Sequence, residues 1–365
     1  MRPIRRGDRG EQVRDIQRRL LASGHRVEPD ELEGTFGAST EEAVRAFQAR
    51  RGLPADGIVG ADTWGQLVEA GYRVGDRTLY LRSPAFRGDD VRELQRMLNA
   101  LGFDAGKEDG IFGAVTLRAV MEFQRNVGEP ADGIVGLETV RSLERMRPTI
   151  GAPSRAVVRE AEAARTMGAG LAGSVVAIDP GHGRSDPGVE AGPVAEAEVA
   201  WAISARLADE LERRGARPVL LREEGTDPDA GERAARANAV AATICVSVHL
   251  GGGHGAPAGA ACYHWGTPTT YSPMGRRLAE LILGELVRTA GLRDGGVGPL
   301  AIAILRETRM PAVQVEPAVA TNPEEAALVA EPSFADRAAG AIADGIERFL
   351  DATAPAAEPP RAASL

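Results

Sequence analysis

Cysteine is scarce in this 365-residue chain, an excess of basic charge and long apolar runs are missing, and each shortage closes off a class of protein. Two cysteines, Cys245 and Cys262, are too few for a disulfide-stapled scaffold. Both sit in apolar strand-like runs, TICVSVHL and GAACYHWG, which reads as two reduced buried thiols, with a pairing between adjacent strands as the alternative. The formal net charge of −9 argues against a nucleic-acid binder, because phosphate recognition needs a concentrated basic face. Arg2, Arg5, Arg6 and Arg9 are too few and too mixed with acid to reverse that. No apolar run reaches the roughly 18 residues of a membrane span. The N-terminus, MRPIRRGDRGEQV, has neither an apolar core segment nor a small-residue cleavage site, so a cytoplasmic location is expected, with the cell wall or exterior requiring an unrecognised export route.

What the chain does have begins with a repeat. The first copy runs RGEQVRDIQRRLLASG and then EGTFGASTEEAVRAFQARRGLPADGIVGADTWGQL; the second runs GDDVRELQRMLNALG and then EDGIFGAVTLRAVMEFQRNVGEPADGIVGLETVRSL. Val13, Ile16, Gln17, Leu20 and Gly24 recur as Val91, Leu94, Gln95, Leu98 and Gly102, and Phe36, Thr40, Ala43, Phe47 and Gln48 recur as Phe112, Thr116, Ala119, Phe123 and Gln124. DGIVG appears at Asp56–Gly60 and again at Asp132–Gly136. Apolar residues at i, i+3, i+4 and i+7 predict two amphipathic helices per copy, with a third short helix after DGIVG. The pattern resembles the three-helix peptidoglycan-binding domain found beside cell-wall hydrolases. Residue by residue, Phe47 and Phe123 read as core, so a protein-interaction module stays open as the competing role.

The boundaries follow from composition. Residues 1–72 and 80–147 hold the two repeats, and 148–173 read as a linker carrying one helix in SRAVVREAEAARTM. Residues 174–351 alternate strand-like and helical runs, which predicts an α/β domain with a mostly parallel sheet covered by helices. Residues 352–365, rich in Ala and Pro without periodicity, read as a disordered tail.

Within the α/β domain, VVAIDPGHGRSDPG (Val175–Gly188) reads as a buried strand that breaks into a Gly/Pro turn bearing His182. In an open α/β sheet, ligands bind outside the carboxyl ends of the strands. Alone, a loop histidine is as readily a surface residue. Three further polar residues stand where an apolar pattern would not put them. His249 closes TICVSVH, Glu316 lies inside the apolar PAVQVEPA, and Glu196 opens the helix EAEVAWAISARL. A buried carboxylate must be paired, protonated or beside a metal. Two histidines and a glutamate form a set that holds Zn²⁺ with one position open, and a second carboxylate can relay a proton.

Taken together, IDPGHG, the glutamate at the helix start, SVH, and VEPA followed by TNPEEAALV resemble the zinc-dependent N-acetylmuramoyl-L-alanine amidases, from about Ser174 to Leu350. The resemblance implies that His182, Glu196 and His249 are zinc ligands and Glu316 the catalytic carboxylate. It selects Glu196 over Glu198 because the family's ligand stands seven residues before a helix Ile, here Ile203. The implied reaction cuts the amide between N-acetylmuramic acid and L-Ala of the stem peptide, so peptidoglycan or muropeptides are the expected partners. The chain departs from the family at Leu250–Gly251–Gly252, where a small residue and an asparagine usually follow the second histidine, and at Ala241–Ala242, where Ala-Asp is usual. His254 and His264 read as loop or surface imidazoles. Two wall-binding repeats ahead of an amidase domain also resemble actinobacterial regulators of wall-precursor synthesis, which act through contacts with other wall-synthesis proteins.

Overall fold

The computed structural model describes residues 2–146, 170–192, 194–252, 258–267 and 270–353, and the chain divides into two compact units, Met1–Arg159 and Glu160–Leu365. The helix expected in SRAVVREAEAARTM, the tail beyond Thr353 and His254 lie outside the described residues. Among the described residues no helix is long and apolar enough to cross a membrane.

The first unit holds the two repeats as α1 (Glu11–Ala22), α2 (Ala38–Arg51) and α3 (Ala61–Glu69), then α4 (Asp89–Ala100), α5 (Ala114–Val127) and α6 (Leu137–Arg145). Each repeat has its own core, Ile16, Leu20, Phe36, Phe47 and Leu67 in one, Leu94, Leu98, Phe112, Phe123 and Leu143 in the other. The phenylalanines of the FQ pairs are therefore packing residues. Their glutamines are buried as well, and they explain the DGIVG pentapeptide. Gln48 Nε2 donates to Asp56 Oδ1, the Ile58 carbonyl and Thr63 Oγ1, while its Oε1 accepts from the Gly57 N–H. Gln124 repeats the same bonds with Asp132, Ile134, Thr139 and Gly133. The turn needs glycine because Gly57 and Gly133 have φ of 77° and 73°. Between the copies, Arg51 forks onto the carboxylate of Asp89.

The second unit is a six-stranded sheet in the order β4-β1-β5-β8-β6-β7. Its strands are β1 (Val175–Pro180), β4 (Arg217–Leu220), β5 (Ile244–Val248), β6 (Ala260–Trp265), β7 (Asp294–Leu300) and β8 (Ala312–Glu316), with a two-stranded hairpin of β2 (Glu190–Ala191) and β3 (Val194–Ala195) beside it. All pairings in the large sheet are parallel except β6 with β8. Helices α7 (Glu196–Arg213), α8 (Ala230–Ala239), α9 (Pro273–Arg288), α10 (Ala303–Glu307), α11 (Pro323–Val329) and α12 (Phe334–Thr353) complete the layers.

One apolar cluster packs α7, α9 and α12 on one face of the sheet, through Ile203, Leu207, Leu278, Ile282, Ile342 and Ile346, and another packs α8 and α10 on the opposite face, through Ala234, Ala237, Ile304 and Leu305. The central strands are thus covered on both sides, as parallel strands require. Cys245 belongs to the α8/α10 face and Cys262 to the other, so the alternative of a pairing is ruled out: both cysteines are buried and neither is in a disulfide. His264, expected near the surface, is buried: it points into the fold at the far end of β6, its Nδ1 3.0 Å from the Trp265 carbonyl.

Candidate metal centre and active site

Three polar side chains converge beyond the carboxyl ends of β1 and β5. His182 stands on the turn after β1, at a φ of 56°. That conformation costs a non-glycine residue about 1–3 kcal/mol and persists only where surroundings fix it. Here the Gly181 N–H donates to the Val248 carbonyl at 2.9 Å, and two arginines grip the turn from beneath. Arg222 donates to the Pro180 carbonyl at 2.9 Å; Arg233 donates to the carbonyls of Pro180 and His182, both at 2.6 Å, and pairs with Asp179 at 2.9 Å. Asp179 in turn accepts from Ser247 Oγ at 2.6 Å.

Glu196 is the first residue of α7 and is buried. The Val189 N–H donates to its Oε2 at 2.9 Å, while Oε1 accepts from the Leu250 N–H at 3.1 Å. The same Oε1 lies 3.0 Å from His182 Nε2 and 2.9 Å from His249 Nδ1. One donor atom from each of the three residues lies within 4.8 Å of the others. The other nitrogen of His182 is 2.9 Å from Asp186 Oδ2, which fixes the ring's orientation. Burial lowers the pKa of His182, yet the hydrogen bonds to Asp186 and Glu196 outweigh it and raise the value to about 9. Burial alone would raise Glu196; the two imidazoles instead hold it well below the usual carboxylate range.

Two glycines leave room for this cluster. A Cβ on Gly181 would meet the His249 ring at 2.6 Å, and one on Gly188 would meet Glu196 Oε2 at 2.6 Å and His182 Cδ2 at 2.7 Å. The site after His249, where the chain departs from the expected small-residue and asparagine pattern, is instead held by backbone. Gly251 donates to the Ala318 carbonyl at 2.9 Å and accepts from the Ala320 N–H at 2.7 Å.

Glu316 ends β8, the neighbour of β5, so its carboxylate arrives beside His249. Its Oε1 accepts from Gln314 Nε2 at 2.9 Å, and its Oε2 lies over Gly251. Burial raises its pKa against the opposing pull of His249 and the Gln314 hydrogen bond. All four residues singled out in the sequence thus come together. Asp186, Arg222, Arg233 and Gln314 were not singled out; for Arg222 and Gln314 the readable sign was a polar residue in or at the end of an apolar strand, RPVLLR and PAVQVE, whereas Asp186 in its turn and Arg233 on its helix carry no such sign.

Donor chemistry fits a divalent cation that takes nitrogen and oxygen: two imidazoles and a carboxylate, mutually close, with space left by glycine. A doubly covered α/β sheet that gathers such a set at its strand ends, with a further carboxylate alongside, defines a hydrolase-type domain. Residues 176–348 match the N-acetylmuramoyl-L-alanine amidase family, and residues 9–67 and 87–143 match the putative peptidoglycan binding domain. Over 358 residues the chain is 39% identical to N-acetylmuramoyl-L-alanine amidase CwlM of Mycobacterium tuberculosis, covering 94% of this chain and 87% of that one. Against N-acetylmuramoyl-L-alanine amidase LytC of Bacillus subtilis it is 35% identical over 177 residues, 48% of this chain and 35% of that longer protein. The crystal structure of an N-acetylmuramoyl-L-alanine amidase from Clostridium difficile 630 overlays with a TM-score of 0.47 at 27% identity, covering 49% of this chain and 97% of that one. The chain belongs to the N-acetylmuramoyl-L-alanine amidase family.

Proposed function

We propose that the second unit hydrolyses the amide between N-acetylmuramic acid and L-alanine of the stem peptide, with His182, Glu196 and His249 holding Zn²⁺ and Glu316 as the catalytic carboxylate. The carrying observation is the meeting of both imidazoles on one oxygen of Glu196. When bound, zinc supplies a Lewis acid that acidifies a water and polarises the scissile carbonyl. Asp186, by accepting from Nδ1 of His182, orients the ring so that Nε2 is the nitrogen turned to the metal once its proton is displaced. Glu316 Oε2, the oxygen not engaged by Gln314, takes a proton from the attacking water and gives it to the departing alanine nitrogen as the C–N bond breaks. A carboxylate raised by burial is suited to both halves of that transfer. The repeats bring the domain to the wall polymer.

Metal content and stem-peptide release from muropeptides, measured side by side on the full chain, test the reading. One equivalent of zinc and cleavage abolished by Glu316→Gln are expected. Zinc binding without Glu316-dependent release would instead favour the role through contacts with wall-synthesis proteins.

A further inference from the structure

The sheet carries a polar row where its two covered faces otherwise bury apolar side chains. Register places Asp179 opposite Ser247, Ser247 opposite Gln314, and Gln314 opposite Tyr263, so four polar residues cross β1, β5, β8 and β6 at one level. Two residues further along β1, β5 and β8 come Gly181, His249 and Glu316, with Ala261 facing Glu316 across β6. The polar row is therefore the floor directly beneath the reacting row.

Gln314 is the odd member of that floor. It is 6% exposed, and its Oε1 is buried with no hydrogen-bond partner among the described residues. Ser247 does not fill the gap, because a hydroxyl has one proton and that of Ser247 goes to Asp179 Oδ2 at 2.6 Å. Burying an amide half-satisfied is unfavourable, and a methionine of similar volume would pack there without the penalty. The other half of the amide has one partner, Glu316 Oε1, at 2.9 Å. An amide oxygen facing a carboxylate would be repelled, so that contact fixes which way the amide points.

We propose that Gln314 is a positioning residue for the amidase reaction: its Nε2 fastens Oε1 of Glu316 so that Oε2 alone is presented over Gly251 to the water and the leaving nitrogen. This rests on the role given above to Glu316. The Gln314 side chain touches neither metal ligand nor substrate in this arrangement; it acts through Glu316.

The test is Gln314→Met in the full chain, read by kcat and KM on soluble muropeptides, zinc content and melting temperature together. The expected result is a fall in kcat of about tenfold, the scale of one hydrogen bond to a charged group, with KM and zinc content unchanged and the melting temperature equal or higher. Retained kcat overturns the proposal, and so does a loss of kcat that comes with a lowered melting temperature, which marks a packing role. A second measurement avoids that substitution: with ¹⁵N-labelled glutamine, one side-chain NH₂ signal of the wild type should shift in Glu316→Ala, and an unmoved set of signals overturns the proposal. If the wild type binds zinc but releases no stem peptide, the amidase reading fails and the proposal falls with it, whereas an active wild type with an equally active Gln314→Met sinks the proposal alone.

Discussion

Glu316 and His182 carry the sharpest expectations at the scale of single residues. Replacing Glu316 by Gln keeps the shape and removes the proton shuttle, so stem-peptide release should drop by ~10²- to 10⁴-fold while zinc stays bound. Loss of zinc in that variant would move Glu316 from the chemistry to the metal. For His182, the sign of the pH dependence follows from its raised pKa. In the metal-free chain the imidazole holds a proton up to about pH 9, so zinc must displace it at neutral pH. Affinity should then fall as pH drops, by about tenfold per unit for one proton released. Calorimetry in buffers of differing ionisation enthalpy counts that proton, and zinc uptake without release refutes the assignment. The same group stabilises the metal-free fold fully below its ordinary value of 6.5, and that contribution is lost as pH rises through about 9.

At the scale of elements, the turn after β1 depends on α8. Arg233 reaches from that helix to Asp179 and to two carbonyls of the turn, and both partners of the ion pair are buried. Arg233→Ala would leave the Asp179 carboxylate with Ser247 as its remaining side-chain partner. A cost of about 3–5 kcal/mol in stability is expected, together with a 10- to 100-fold weaker hold on zinc as the turn bearing His182 loosens. Chemical denaturation and metal titration check the two effects separately, and an unchanged zinc affinity would show that the turn holds its shape without the arginine. The central strands and long helices were legible because a covered parallel strand reads as an unbroken apolar run and an amphipathic helix repeats every 3.6 residues. β7 was not, since DGGVGPL has three glycines and one proline and offers neither alternation nor β-branched enrichment. The hairpin β2/β3 has two residues per strand, too few for any period.

For the whole molecule, separate cores predict separable behaviour. Phe123 packs in the second repeat, remote in sequence from His182, Glu196 and His249 of the candidate metal site. Phe123→Ala should cost that repeat about 3–5 kcal/mol and lower retention on intact sacculi. Zinc content and release of stem peptide from small soluble muropeptides should be unaffected. A parallel loss of both activities would mean that the repeats and the catalytic unit fold as one. The repeats themselves were readable to the residue, because Gln48 and Gln124 bond to turns that lie within 15 positions of them.

The sequence by itself determined the central strands and long helices, the two repeats, and four chemically odd residues at strand ends and a helix start. Those are local properties, set by side-chain period and by the rarity of charge in apolar runs. Only the tertiary structure decided that His182, Glu196 and His249 share one oxygen, that Glu316 faces Gly251, and that Gln314, Asp186 and Arg233 support them. Strand order and register put β1, β5 and β8 side by side, and register is fixed by packing on both faces of the sheet at once, a sum over distant contacts that no single stretch of sequence contains.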